Sequence, residues 1–315
     1  MKYLVRRVLM MVPVLVLISI IGFCLAFVLP GDPAEAILPD DLQGDKVAYE
    51  ALRAELGLDR SVAVQYGLWA KRALTGDFGV STRNGQPVTD AIIARLAPTV
   101  ELTVLSLLWA VVFGIPVGIY SAMRPNSLGD VFGSMFAVGG VALPNFWQGV
   151  MLILVLSVWL RWLPSSGYVS PFEDLSENLR LMLLPSFTLS SFLMAVIMRQ
   201  TRSSLLEVMQ QDYIRTARAK GLGEWTTVVR HALKNALIPV VTVIGYQMGH
   251  QLGGSIVVET VFGIPGAGRL IADSIFYRDF PMVTGLVMMA ALAVIACNLI
   301  ADLMYAYLDP RIRYA

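Results

Sequence analysis

The residues best suited to chemistry lie in a polar, basic stretch, 212–239, between two long apolar runs. Arg215, Arg218 and Lys220 supply cationic hydrogen-bond donors, and Trp225 adds a large amphipathic ring. Guanidinium groups and indole rings are typical anchors of protein–protein interfaces. The stretch therefore predicts a surface that docks into a groove of another protein.

Glycines divide this stretch into two predicted helices. Residues 204–219 are rich in helix formers, with apolar side chains at near-helical spacing. Gly221 and Gly223 follow where a helix would stop, and Glu224 suits the N-terminus of the next helix. We expect a turn at 220–223, so that the two helices form an elbow.

The sequence RTARAKG followed by HALKNALIP resembles the cytoplasmic EAA loop of ABC-importer permeases. The resemblance is to the form found in dipeptide, oligopeptide, glutathione and nickel permeases, where this loop is the coupling helix that sits in a cleft of the ATPase. Three positions keep the general pattern: Ala217, Gly221 and Leu233. Four depart from it: Arg215 for glutamate, Thr216 for alanine, His231 for isoleucine and Lys234 for proline. These departures resemble the peptide and nickel branch rather than sugar permeases.

The resemblance implies an ATPase-coupling site within the elbow. Its residues would be Arg215, Thr216, Ala217, Arg218, Lys220, Gly221, Leu222, Gly223, Glu224 and Trp225. It also implies a second homologous permease subunit as heterodimer partner, two ATPase subunits or domains, and an extracytoplasmic solute-binding protein. On the residues alone, the basic loop could instead be only a signal that orients the chain in the membrane.

No catalytic motif is found in this chain. It lacks G-x-x-x-x-G-K-[ST], so we expect no ATPase site, no enzyme activity and no bound cofactor; ATP and Mg would be used by the partner subunits. Cys24, Cys297, His231 and His250 lack metal-ligand spacing, which predicts neither a metal site nor a disulfide framework.

Composition indicates a membrane protein contacting lipid. Of the 315 residues, 56% are hydrophobic and 15% are charged, with a mean hydropathy of +0.66. The net charge of +1 leaves no electrostatic footprint for nucleic acid. We therefore predict an all-α polytopic membrane protein.

Six apolar runs predict six transmembrane helices, and the resemblance implies the type I ABC importer permease fold. The runs are 8–29, 102–123, 131–160, 181–198, 235–258 and 282–301. The third contains Gly139, Gly140 and Pro144 and is either one broken span or two short ones. Counted once, it leaves thirteen basic residues on the side of the N-terminus and four in the short loops opposite. The positive-inside rule then places both termini in the cytoplasm, and the expected location is a bacterial inner membrane.

These boundaries predict four sections of chain. They are a cytoplasmic N-terminus with the first span at 1–29, an extracytoplasmic segment at 30–98, a five-helix permease core at 99–306 with the coupling loop 199–236, and a cytoplasmic tail at 307–315. The second section holds three helix-like pieces, 45–56, 61–74 and 87–96, and is either a small ordered cap or a long loop. The apolar connection 259–281 either dips into the outer leaflet or caps the pathway.

A polar stripe on the fifth predicted span suggests the translocation path. Gln247, His250 and Gln251 share one helical face, and Asn145 and Gln148 on the third span would form the opposite wall. These amides either line a hydrated path or are interhelical packing contacts. Two edge carboxylates, Glu101 and Asp302, are expected to make interfacial pairs.

Together these features predict the permease subunit of an ATP-driven importer for dipeptides or oligopeptides delivered by a binding protein. Glutathione and nickel complexes are alternative cargoes. An ion-coupled secondary carrier and a scaffolding membrane subunit are the alternative classes.

Overall fold

The structure is a computed structural model that describes residues 2–28, 45–55 and 59–308. Within these ranges the chain is helical, and the only strand-like pairing is an isolated bridge between Val80 and Pro87. The helices in chain order are α1 (Lys2–Val28), α2 (Lys46–Glu55), α3 (Val62–Ala73), α4 (Val88–Met123), α5 (Leu128–Ala142), α6 (Asn145–Leu152, followed by the π-helix Ile153–Trp159), α7 (Leu175–Val208), α8 (Asp212–Ala219), α9 (Glu224–Thr226, followed by the π-helix Thr227–Ala232), α10 (Leu233–Val261), α11 (Ala267–Phe276) and α12 (Phe280–Leu308).

Several of these helices are long and apolar enough to cross a membrane. Among the described residues they are Val88–Met123, Leu175–Val208, Glu224–Gly249 and Phe280–Ile300, with α5 and α6 as a fifth span if the bent pair counts as one. The apolar part of α1, Leu9–Cys24, is shorter. The all-α membrane character is confirmed, while the count of six spans, which needs α1, stays a prediction.

The third predicted span is broken at its proline. α5 ends at Ala142, Leu143 is extended (φ −90°, ψ 128°), and Pro144 precedes α6. Proline lacks a backbone N–H and disfavours helical conformation in the residue before it. The chain therefore bends by 113° between α5 and α6.

Two predicted helix boundaries are wrong. The piece 87–96 is not separate, because α4 begins at Val88 and continues through Pro98 to Met123. The stretch 204–219 is not one helix, because α7 ends at Val208 and α8 begins only at Asp212. Local helix propensity misplaces both boundaries because tertiary packing can override it. In α4 the helix continues despite Pro98, and after Val208 it ends despite a run of good helix formers.

The other local predictions mostly agree with the structure. Helix α2 lies within 45–56, and Asp45 Oδ1 accepts a hydrogen bond from Val47 N at 2.9 Å. α3 follows Ser61 as expected, although that side chain makes no capping bond. Part of 259–281 is helical as α11, and residues 30–44 and 309–315 lie outside the described ranges.

The chain divides into two compact units. Unit 1 takes in Met1–Ala97 and Pro265–Ile295. Its core is formed by Val88, Ile92, Met282 and Leu286. Unit 2 takes in Pro98–Ile264 and Ala296–Ala315.

Helix α7 is the central element of unit 2 and the most buried of the candidate spans. Ser186, Thr188, Ser190 and Ser191 bond to carbonyls of their own helix, as Thr188 Oγ1 does to Leu184 O at 2.8 Å, whereas the buried hydroxyl of Thr201 has no partner among the described residues. Glycines of α4 and α5 pack directly on its backbone. A Cβ at Gly118 would lie 2.7 Å from Met198 O, and one at Gly140 would lie 2.8 Å from Ser191 O. Small residues let helix backbones approach closely where no hydrophobic effect drives them together.

We expect Gly118→Ala to destabilise the protein by about 1–3 kcal/mol, because the added methyl group must displace the backbone of α7. The measurement is the apparent melting temperature of detergent-purified protein. The matched control is Gly139→Ala in α5, where a Cβ meets no atom within 4 Å and a small gain in helix propensity is expected. Equal melting temperatures for the two variants would show that the close α4–α7 contact is unimportant.

Candidate functional site

The elbow predicted from the glycines is present in the structure. α8 ends in a turn where Gly221 has φ +82°, a left-handed conformation that glycine adopts without steric cost. Gly221 N donates to Arg218 O at 2.9 Å. Gly223 then serves as the N-cap residue of α9, and its carbonyl accepts from Thr227 N at 2.9 Å. The predicted turn at 220–223 is therefore confirmed.

The inner side of the elbow is packed into unit 2. Ile214 of α8 and Val228 and Ala232 of the following helix are fully buried. They form one apolar cluster with Ala122 of α4 and Leu205 of α7. The elbow is thus packed against two candidate spans through buried side chains.

The outer side of the elbow is open to solvent. Nine of the ten predicted coupling residues are exposed: Arg215, Thr216, Arg218, Lys220, Gly221, Leu222, Gly223, Glu224 and Trp225. The tenth, Ala217, is buried on the inner side. Trp225 is 65% exposed, so its indole ring is accessible to a partner on the outer side of the elbow.

The charged side chains of the elbow pair only at the surface. Arg218 lies 3.1 Å from Glu224, and Arg215 lies 3.4 Å from Asp212. Exposed pairs of this kind contribute little to stability, commonly about 0–1 kcal/mol. Both arginines can therefore exchange these partners for groups on a docking protein at small cost.

A tyrosine–asparagine contact missed by the sequence analysis closes the elbow. Asn235 Nδ2 in α10 donates to Tyr213 Oη in α8 at 2.9 Å. The two residues are 22 positions apart, and no spacing rule connects them. The bond joins the arms of the elbow on either side of its turn.

An ion pair also missed by the sequence analysis lies near the elbow. Arg202 of α7 donates from Nε to Asp130 Oδ1 at 2.9 Å and from Nη2 to Asp130 Oδ2 at 3.0 Å. The Asp130 side chain is 6% exposed. It also accepts from Asn126 N at 2.9 Å, and Asp130 N donates to Ser127 Oγ at 3.2 Å. The pair joins the start of α5 to α7 shortly before the elbow, and the Ser127 cap with an acid three residues later was its only sequence signal.

The two path residues predicted on the third span, Asn145 and Gln148, are both half-buried in α6. The side-chain amide of Gln148 donates to Leu143 O at 2.9 Å, beside the proline break. Asn145 begins the same helix. α6 packs on α10, where a Cβ at Gly149 would lie 3.0 Å from the ring of Phe262. The helices of the two predicted walls are therefore neighbours.

On α10 the polar stripe is partly turned inward. Gln251 is 8% exposed, and its amide donates to Ser106 Oγ of α4 at 3.4 Å. Gln247 is half-buried, and the side chain of His250 lies outside the described residues. In this conformation Gln251 makes the interhelical contact that was the alternative to a path-lining role.

Two carboxylates make hydrogen bonds that involve α4: Glu101, which belongs to α4, and Glu259, which bonds to Thr99 of α4. Glu101 accepts from Tyr168 Oη at 2.9 Å, a pair that fits the interfacial role expected for Glu101. Burial, together with the Glu101 carboxylate, raises the pKa of Tyr168 to about 12, so this phenol stays protonated and donates. Glu259, which the sequence analysis placed in a loop, is fully buried in α10 and accepts from Thr99 Oγ1 at 2.7 Å. The side chain of Asp302 lies outside the described residues.

Within the described ranges, no group of three histidine, cysteine or acidic side chains is arranged to hold a metal ion.

The chain is similar to membrane components of binding-protein-dependent transport systems. A family model described as "Binding-protein-dependent transport system inner membrane component" matches residues 114–314, and one for the N-terminal part of such membrane components matches 1–103. The dipeptide transport system permease protein DppB of Alkalihalophilus pseudofirmus is 40% identical over 332 aligned residues, covering 99% of each chain. The glutathione transport system permease protein GsiC of Escherichia coli K12 is 42% identical over 313 residues, again covering 99% of each. A crystal structure of an amino acid ABC transporter with histidines gives a TM-score of 0.52 at 16% identity, covering 70% of this chain and 94% of that chain, which shows a shared fold alone.

We expect Gly221→Ala to destabilise the elbow by about 1 kcal/mol, because an alanine at φ +82° is strained even though no atom lies within 4 Å of the added methyl group. The measurement is hydrogen exchange of the amides in 212–232, which should become faster. The control is Gly223→Ala, which also has open space around it but has φ −63°, a value that any residue adopts. Equal exchange rates in both variants would contradict a role for the left-handed turn.

Proposed function

The chain belongs to the family of binding-protein-dependent transport system inner membrane components, and on that premise we propose that its cargo is a short peptide. Members of this family are the membrane components of ABC importers, so this chain is a permease subunit. The names of the two relatives denote a dipeptide and glutathione, itself a tripeptide derivative. Glutathione is therefore the nearest alternative cargo, and a nickel complex is a more distant one.

The observation that carries the coupling role is the two-sided elbow. Its outer side exposes Trp225 and Arg215 to a partner, while its inner side packs through Ile214 against two candidate spans. We propose that this is the coupling loop, docked on an ATPase subunit that binds ATP and Mg. A second homologous permease and a second ATPase subunit or domain would complete the transporter.

The proposed mechanism converts closure of the ATPase pair into a change of access. ATP binding brings the ATPase subunits together and displaces the elbow, and α4 and α7 follow because the buried cluster fastens them to it. The Asp130–Arg202 pair makes α5 follow α7. Rigid-body rocking of these helices would open the path outward to receive cargo from the binding protein.

We further propose the type I importer fold, with six spans, both termini in the cytoplasm and residence in a bacterial inner membrane. Support comes from two stretches predicted to be extracytoplasmic. Ser81, in 30–98, donates from Oγ to Asp279, in 259–281, and Leu270 and Ile271 pack against Val88 and Ile92. Segments on one side of a membrane can pack together in this way, whereas segments on opposite sides cannot.

We expect Trp225→Ala to reduce association of the ATPase subunits about tenfold or more, because an exposed aromatic anchor would be lost while the buried side of the elbow stays intact. The measurement is ATPase subunit retained by the affinity-purified permease, together with peptide uptake. The control is Trp162→Ala, since Trp162 is 66% exposed but lies between α6 and α7. Equal retention by the two variants would exclude Trp225 from the docking surface.

We propose that five polar residues lie along the path: Asn145, Gln148, Gln247, His250 and Gln251. On α10, Gln247 would act mainly in transport and Gln251 mainly in helix packing. Gln247→Leu is expected to slow uptake or change the range of peptides carried. Gln251→Leu is expected mainly to lower the melting temperature, because it removes the bond to Ser106, a loss of about 1 kcal/mol. Uptake assays and thermal unfolding of both variants separate the two roles. Unchanged uptake rate and range in Gln247→Leu would remove this residue from the path.

A further inference from the structure

A rigid hairpin of unit 1 presents an arginine that the coupling and transport roles do not use. Residues 79–88 form a closed turn in which Ser81 N donates to Gln86 O at 2.9 Å and Val88 N donates to Gly79 O at 3.0 Å. Gly79 and Gly85 both have positive φ, so the tight backbone is adopted without side-chain strain. The exposed residues near the tip of this turn include Arg83.

The hairpin is anchored by a buried carboxylate. Asp279, 3% exposed, accepts from Ser81 Oγ and from Thr82 N, the latter at 3.2 Å. Asp279 also precedes α12, and its carbonyl accepts from Val283 N at 2.9 Å. The same residue thus fixes the hairpin and the start of a helix. Arg83 contributes to that anchoring only through its backbone N, which donates to Ser81 Oγ at 3.2 Å, and its side chain is left for other contacts.

Arg83 lies on an aromatic surface at the end of α11. Its guanidinium carbon is 3.7 Å from the centroid of the Tyr277 ring, and Tyr277 makes an edge-to-face contact with Phe276 at 5.3 Å. Phe276 is 80% exposed and Tyr277 is 51% exposed. We call Arg83, Phe276 and Tyr277 the arginine platform. Arginine and aromatic residues are the types that dominate the binding energy of protein interfaces.

The Arg83 guanidinium makes no ion pair in the described part of the chain, although the Asp273 and Asp279 carboxylates line the same cavity. Stacking uses the face of the guanidinium plane and leaves its edge, with several N–H donors, to bind a carboxylate in bidentate fashion. A polar cavity of about 260 Å³ adjoins the platform, and its lining includes Arg83, Asn84, Gln86, Arg95, Asp273 and Tyr277.

We propose that the arginine platform docks the extracytoplasmic solute-binding protein, with Arg83 receiving an acidic side chain of that protein. The inference rests on the proposed function, which requires such a partner and places the stretches 30–98 and 259–281, and with them the arginine platform, on the outer side. A protein partner fits better than a lipid surface, because the platform is held rigidly and adjoins a cavity whose polar walls include the Asp273 carboxylate. Rigid preorganisation lowers the entropy lost on docking.

The test uses the assembled transporter in nanodiscs and the purified solute-binding protein of the same transporter, loaded with peptide. ATPase rate is measured against binding-protein concentration. For Arg83→Ala we expect the half-maximal concentration to rise about tenfold or more while the maximal rate is unchanged. Arg83→Lys should give an intermediate rise, because lysine keeps the charge and loses the bidentate fork. The control is Arg60→Ala, an exposed arginine elsewhere in unit 1 that should leave the curve unchanged.

The possible outcomes distinguish this inference from the proposed function. A half-maximal concentration that is unchanged in Arg83→Ala overturns the platform alone, as does a lower maximal rate at an unchanged half-maximal concentration, which would indicate a structural role. If the wild-type transporter is not stimulated by the binding protein, both proposals fail.

A second measurement separates protein docking from lipid contact. Phe276→Cys, in a background without Cys24 and Cys297, carries a fluorescent label whose quenching is followed. Shielding from a water-soluble quencher on addition of the binding protein supports the platform. Quenching by spin-labelled lipid, with no effect of the binding protein, would assign the surface to the membrane and overturn the proposal.

Discussion

The buried contact between the elbow and two candidate spans is the interaction on which the proposed mechanism depends. Ile214 and Val228 pack with Ala122 of α4 and Leu205 of α7 in one apolar cluster. Close-packed protein interiors have low compressibility and transmit strain. A polar loop that made only surface contacts could bind an ATPase equally well, but it would move without taking the spans with it.

Two kinds of interaction hold the helices of unit 2 together: close backbone packing at glycines and a hydrogen-bonded ion pair. Gly118 and Gly140 bring α4 and α5 against the backbone of α7. In lipid no hydrophobic effect drives helices together, so van der Waals contact at such close approaches stabilises the packing. The bidentate Asp130–Arg202 pair adds a directional link at the end nearest the elbow. Removal of Arg202 would leave the nearly buried carboxylate of Asp130 without its charge partner.

Polar residues within the candidate spans contribute to packing as well as to any path. Gln251 bonds to Ser106, Thr99 bonds to Glu259, and each pair joins α4 to α10. A path shared between two permease subunits would run along surfaces that a single chain leaves exposed. Gln247, which is half-buried, meets that condition better than Gln251, which faces the interior of its own chain.

The sequence by itself determined the helical membrane class, the elbow and its turn, because hydropathy, basic charge and the glycines at 221 and 223 act over a few residues. It also indicated the break at Pro144, where covalent geometry decides the outcome. Only the tertiary structure decided that Pro98 lies inside a continuous helix, that Asp130 pairs with Arg202 and that Gln251 turns inward. The pairings join residues 72 and 145 positions apart, and packing of distant helices, which no local pattern encodes, selects all three.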